Sequence, residues 1–158
     1  MGGFGAMKLC LKYPDLFQSV SSQSGFLDIE LLKDKWMLKM ILPEFLEVFG
    51  RLEVRELPSG SSLDLKHIHA NNPIALLEKR RIGRLPHWVY FDYGEKEGFQ
   101  GITEGNQKIE KALEERSHRI SIQPFNGKSG HNYQFWRSRS GNILRHHSEG
   151  FQRGLLGK

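Results

Sequence analysis

His131 stands in Gly130-His131-Asn132-Tyr133, on a loop that follows the last strand the sequence predicts. An imidazole held beyond strand ends can take a proton from a hydroxyl nucleophile while its second nitrogen reaches a carboxylate. Gly130 permits a tight backbone approach there. Two carboxylates, Asp92 and Glu97, flank the turn after a buried-strand pattern and could orient such a base. The chain also opens on Met1-Gly2-Gly3-Phe4-Gly5-Ala6, small residues running into a helix. That opening has the form of the second half of a Gly-x-Ser-x-Gly strand-to-helix turn. With Met1 at the second x and Gly2 at the closing Gly, the reactive Ser falls one position before the first residue.

No serine inside the chain takes its place. Ser129 lies two positions before His131 and has no strand running into it. Ser24 ends its strand at a plain stop rather than at a strand-to-helix turn. The remaining serines sit in polar loops or helices. His67-Ile68-His69 puts two imidazoles on one side of a strand, but a third ligand is missing nearby, so no metal is expected. No phosphate-cradling glycine loop with a Lys and no dinucleotide fingerprint is present, so no cofactor is expected either. Cys10 is the single cysteine, which rules out an internal disulfide or a thiolate metal cluster. It falls in an apolar run and reads as a small buried hydrophobe.

Such groups must be carried by elements whose ends converge. Residues 4–13 hold Phe4, Ala6, Met7, Leu9, Cys10, Leu11 and Tyr13, too many for one stripe, and predict a helix buried nearly all round that Pro14 ends. Residues 17–23 predict a short strand stopped by Ser24-Gly25. Residues 27–42 and 44–49 show helical spacing on either side of Pro43, and 58–62 a turn or loop. Asn72-Pro73-Ile74 starts a short helix that runs to Lys79. Residues 85–92 form a nearly continuous apolar run bounded by Pro and Gly, the pattern of a strand covered on both faces. An amphipathic helix follows over 103–116, with Ile109, Ala112 and Leu113 inward. Residues 119–125 make a further strand, 126–130 a loop, and 135–147 a last helix whose His146 and His147 face solvent. Strand, helix, strand, loop, helix is the closing half of a doubly wound α/β sheet.

The chain has 158 residues, the natural size of one domain with a core of its own. Its net charge is +5, but the basic residues are scattered, with local groups only at Lys79-Arg80-Arg81 with Arg84 and at Arg137, Arg139 and Arg145. A basic stripe interleaved with stacking aromatics is missing, so a nucleic-acid partner is not expected. No run of 18 apolar residues could span a membrane. The compartment stays open, with the cytoplasm favoured.

Four stretches taken in order resemble one family. Met1-Gly2-Gly3-Phe4-Gly5-Ala6 is similar to its Ser-Met-Gly-Gly-(aromatic)-Gly-Ala turn. Tyr13-Pro14-Asp15-Leu16-Phe17 with Ser22-Gln23-Ser24-Gly25 is similar to the segment that closes its next strand. Val89-Tyr90-Phe91-Asp92-Tyr93-Gly94-Glu95-Lys96-Glu97 looks like the strand and turn of its acid, and Gly130-His131-Asn132-Tyr133-Gln134-Phe135-Trp136 like the loop of its base. The family is the esterase-D-like branch of the α/β-hydrolases, which includes S-formylglutathione hydrolases, feruloyl and enterochelin esterases and mycolyltransferases.

The resemblance implies the C-terminal part of an α/β-hydrolase domain over 1–158, starting just after the nucleophile, with 26–84 as a helical, lid-like insertion that shapes substrate choice. It implies a serine esterase that works through an acyl-enzyme on a small-molecule ester or thioester, with some relatives acting as acyltransferases. His131 would be the base, and Glu97, three residues beyond the turn glycine, the acid. Asp92 is the second choice, better suited to tying down loop backbone as an Asx-type acceptor. The amide of Met1 would be one oxyanion donor. Without its Ser the chain is expected to be inactive alone. Two alternatives are a non-catalytic remnant that serves as a binding or assembly partner, and one half of a split enzyme. The strand at 17–23 would lack the neighbour that leads into the nucleophile, so self-association through an exposed strand edge is expected.

Overall fold

A computed structural model of the chain describes residues 2–33, 69–79, 88–94, 97, 100–115, 120–125 and 131–156. Three parallel strands form the centre: β1 (Ser19–Gln23), β2 (Trp88–Gly94) and β3 (Ile120–Phe125), side by side in that order. Ser19 lies opposite Trp88, and Val89 opposite Ile120. Parallel neighbours need a crossover, and between β2 and β3 it is the helix Gln100–Glu114, here α3, which packs on both strands. The helix Gly2–Lys12 (α1) packs on β1, and the short helix Pro73–Lys79 (α2) packs between α1 and α3. The chain is therefore α/β in character.

Side chains alternate across a strand, and this decides which helices cover which face. Val20 on β1 and Val89, Phe91 and Tyr93 on β2 belong to one apolar core with Met7, Cys10 and Leu11 of α1, Leu77 of α2 and Ile102, Ile109 and Leu113 of α3. The opposite face carries Ser19, Ser21 and Gln23 beside Trp88, Tyr90 and Asp92. The last helix, Tyr133–Leu156 (α4), lies over that polar face and packs on β1 and β2. On β2, Val89 to Gly94 are all buried, as the continuous apolar run predicts for a strand covered on both sides.

Several expectations need correction. Helix α1 is not buried all round: Leu9 is 48% exposed, and Tyr13 just past its end 53%, while Phe4, Met7, Cys10 and Leu11 are buried. A helix lying on one sheet face keeps a solvent side even when that side is apolar. Its end is as expected: α1 stops at Lys12, just before Pro14, which opens a 3₁₀ turn, Pro14–Leu16. The strand predicted from residue 17 begins at Ser19, and Phe17 is exposed. The last helix runs nine residues past His147, to Leu156. His146 is consequently buried at 5% exposure, and His147 is half-buried. The sheet offers polar partners to that stretch. The His147 ring sits between the hydroxyls of Ser19 (2.7 Å) and Ser21 (3.0 Å), and His146 packs edge-on against Trp88. Burial lowers the pKa of both imidazoles.

Of the helices predicted over 27–42 and 44–49, residues 29–33 form a 3₁₀ turn. Residues 34–68, with the 58–62 loop and His67, lie outside the described residues. Where the 26–84 region is described, Asp28 anchors it. Its buried carboxylate meets Lys108 Nζ at 2.7 Å and Asn72 Nδ2 at 2.9 Å, which ties the exit from β1 to α2 and α3. His69 pairs with Glu30, and among the described residues no group of side chains could hold a metal ion. Among them too, no helix is long and apolar enough to cross a membrane.

Candidate active site

The ends of β1 and β2 and the start of α4 meet at one place. Helix α4 begins where Asn132 caps it: Asn132 Oδ1 accepts the Phe135 N–H at 2.9 Å, the usual way an Asn satisfies a free amide of a first turn. That cap fixes the residue before it, His131, just outside the helix. Three residues beyond the last strand residue of β2 stands Glu97, buried at 3% exposure. The His131 Nδ1 lies 3.0 Å from Glu97 Oε2, with the carboxylate side chain fully buried and the imidazole 36% exposed. One partner is held in the protein and the other faces outward. That is the geometry a base needs if it is to exchange protons with something outside while its ring stays oriented.

The other Glu97 oxygen is fixed as well. Oε1 accepts the Ser24 hydroxyl at 2.8 Å and the Gly94 backbone N–H. Ser24 in turn accepts the Trp136 indole N–H at 3.3 Å, and the Trp136 ring meets the His131 ring edge-on at 5.2 Å. Ser24 is thus no plain strand stop. It is buried, and its φ of 46° makes it the non-glycine residue with left-handed backbone among those described. Its N–H extends the β1–β2 ladder by donating to the Asp92 carbonyl at 2.8 Å. The sequence offered no sign of this, because Ser-Gly after a strand is an ordinary turn signal. Trp136 and Asn132 belong to the stretch that carries the resemblance, and only the Asn132 cap could have been read from residue type.

Asp92 takes a different part from the one expected of it. It does not tie down loop backbone: the Gly94 amide goes to Glu97, and Asp92 Oδ2 accepts the Tyr90 hydroxyl at 2.7 Å. It is fully buried beneath α4, and its Oδ1 has no hydrogen-bond partner. Burial pushes its pKa up to about 6, against the pull of Tyr90 and Arg139. The structure therefore brings His131 and Glu97 together and sets Asp92 against Tyr90. Met1, Glu95, Ser129 and Gly130 lie outside the described residues.

One of the opening glycines, Gly3, makes the approach of α1 possible. A Cβ on Gly3 would sit 2.9 Å from the Gly25 Cα and 3.1 Å from the Gln23 carbonyl, so the start of α1 touches backbone at the exit of β1. Any side chain there would push the helix away from the sheet edge that carries Ser24. Cys10, further along α1, is buried, and burial pushes its thiol up to about 12, which leaves it a packing group.

No curated protein matches the sequence. The family model described as "Putative esterase" matches residues 1–146, nearly the whole chain and every residue of the His131–Glu97–Ser24–Trp136 cluster, and the chain belongs to that family.

Proposed function

We propose that the chain carries the base and the acid of a serine carboxylic-ester hydrolase, built on the C-terminal part of a doubly wound α/β-hydrolase sheet. The observation that carries this reading is the His131 Nδ1 to Glu97 Oε2 contact of 3.0 Å, between an outward-facing imidazole and an anchored, buried carboxylate. Glu97 accepts the Nδ1 proton, which leaves Nε2 as the acceptor. A serine hydroxyl then attacks the ester carbonyl as its proton passes to His131 Nε2, and the imidazolium is stabilised by Glu97. The same proton goes to the departing alcohol, and an acyl-enzyme remains. Water repeats the sequence, attacking the acyl carbon and giving its proton to His131, and releases the acid and the serine. Replacing water with an alcohol acceptor would give acyl transfer through the same groups. The substrate is a small-molecule ester or thioester.

The nucleophile in this reading is a Ser placed before Met1, and Met1 contributes one oxyanion amide. Residues 1–158 alone are therefore expected not to hydrolyse p-nitrophenyl esters above the rate of free imidazole. The same chain joined to an upstream segment from its own coding sequence that supplies Gly-x-Ser is expected to do so. A burst of product equal to the protein concentration, or stoichiometric fluorophosphonate labelling of residues 1–158, would place the nucleophile inside the chain. If the extended chain is also inert, the esterase reading fails in favour of the alternatives, a non-catalytic binding or assembly partner or one half of a split enzyme.

Among the described strands β1 pairs on one side only, with β2. Among the described residues its outer edge has no paired strand, which makes it a template for another one. The isolated chain is expected to self-associate through this edge. Size-exclusion chromatography with light scattering over a range of concentrations reads this directly, and a concentration-independent monomer would overturn it.

A further inference from the structure

We propose that Ser24 is the positioning residue of this site: its hydroxyl, held between the Trp136 indole and the Glu97 carboxylate, sets the rotamer that presents Glu97 to His131. The inference rests on the reading of His131 and Glu97 as base and acid.

A glutamate side chain turns about three bonds before its carboxylate is placed, so a single contact to His131 cannot fix it. Glu97 is held instead through its second oxygen, which accepts from Ser24 Oγ at 2.8 Å and from the Gly94 amide. The direction of the network follows from what each group can do. The Trp136 indole only donates, so Ser24 Oγ must accept from it at 3.3 Å and has its one proton to give to Glu97. The result is a closed circuit of four side chains, Trp136 to Ser24 to Glu97 to His131, and back to Trp136 through the ring contact of 5.2 Å. The Ser24 backbone is fixed on its own account. Its N–H is tied to the Asp92 carbonyl, and its φ of 46° is one that glycine adopts more readily. A position that favours glycine, filled by a buried serine whose hydroxyl contacts the acid, indicates that the hydroxyl is what is needed.

The test reads the His131 tautomer in the full chain, by correlating its ring carbon-bound protons with the two ring nitrogens in alkaline buffer. The wild-type chain is expected to carry its proton on Nδ1. Ser24→Gly keeps the backbone conformation and removes the hydroxyl. It is expected to collapse the difference between the two nitrogen shifts toward that of free imidazole, with the remaining amide spectrum unchanged. Trp136→Phe moves the shifts the same way by less. Ser24→Asn, which tolerates the left-handed conformation and offers an N–H to Glu97, restores the wild-type pattern. If Ser24→Gly keeps the Nδ1 proton while Glu97→Gln loses it, the inference is wrong and the base–acid reading stands. If the wild-type chain carries its proton on Nε2, the base–acid reading itself fails. Should Ser24→Gly lose its amide dispersion, Trp136→Phe and Ser24→Asn decide the matter by the same shifts.

Discussion

Glu97→Gln, made in a chain extended upstream by a Gly-x-Ser segment and active as proposed, is expected to lower kcat about 10⁴-fold, the loss seen when a triad carboxylate becomes an amide. The local geometry says why. Glu97 Oε1 accepts from both Ser24 and Gly94, so the carbonyl oxygen of a glutamine would take that position and keep both donors. Its NH₂ group would then face His131 Nδ1, donor against donor. The imidazole could answer only by moving its proton to Nε2, the nitrogen that must receive the serine proton. His131→Ala is expected to cost at least as much, since it removes the proposed base. Asp92→Asn is expected to cost less than about tenfold, or about 1.4 kcal/mol of barrier, because its carboxylate faces Tyr90. His87→Ala and His118→Ala, outside the described residues, serve as controls and should leave kcat/KM near wild type. A larger loss at Asp92 than at Glu97 would transfer the acid role to Asp92. Retention of most of kcat/KM by His131→Ala would remove the base assignment altogether.

How much of this could be read from residues alone depended on whether the controlling contact was local. The strand at β2 announced itself because burial on both faces leaves an unbroken apolar run, and Val89 to Gly94 are indeed all buried. Helix α2 was legible from Asn72-Pro73, and α3 from its apolar spacing, although α3 starts three residues earlier than that spacing suggested. The face under α4 was not legible. Ser19, Ser21 and Gln23 give β1 a polar side that looks solvent-facing, and His146-His147 reads the same way on the helix. Only their meeting, some 126 to 128 residues apart in sequence, shows that each is the other's partner. Polar residues that satisfy one another across a layer carry no hydrophobic period. The site divides along the same line. His131 stood out by its loop, and Glu97 by the resemblance, which implies an acid three residues beyond the turn glycine. Ser24 and Trp136 act through contacts 73 and 112 residues away in sequence, which leave no local trace.

The same buried polar face makes stability respond to pH, and Asp92 provides the largest expected effect. Its carboxyl is fully buried, keeps one oxygen without a partner, and has its pKa raised from 3.8 to about 6, first by burial and in smaller part by the charge of Glu97. A carboxyl whose folded pKa lies above its unfolded one favours the fold when protonated. That contribution is full below the unfolded value of 3.8 and is lost as pH rises through about 6. Each pKa unit is worth about 1.4 kcal/mol, so ionising Asp92 costs the fold up to about 3 kcal/mol by pH 8. Asp92→Asn removes that cost. At any single pH the gain is offset by the new amide, whose N–H groups replace an oxygen that had no donor to meet. The pH dependence is free of that offset. His146 and His147 work in the other direction: with folded pKa values lowered by burial, they weaken the fold as pH falls below their ordinary 6.5. They are present in both proteins, so to first order their contribution cancels in the comparison. The unfolding free energy of Asp92→Asn minus that of wild type, measured by urea denaturation, is expected to rise by about 3 kcal/mol or somewhat less between pH 4 and pH 8, with most of the rise below pH 7. A difference that stayed flat across that range would mean that Asp92 titrates in the fold as it does in the unfolded chain, with its carboxyl solvated. The Tyr90–Asp92 pair would then be exposed to water rather than closed beneath α4.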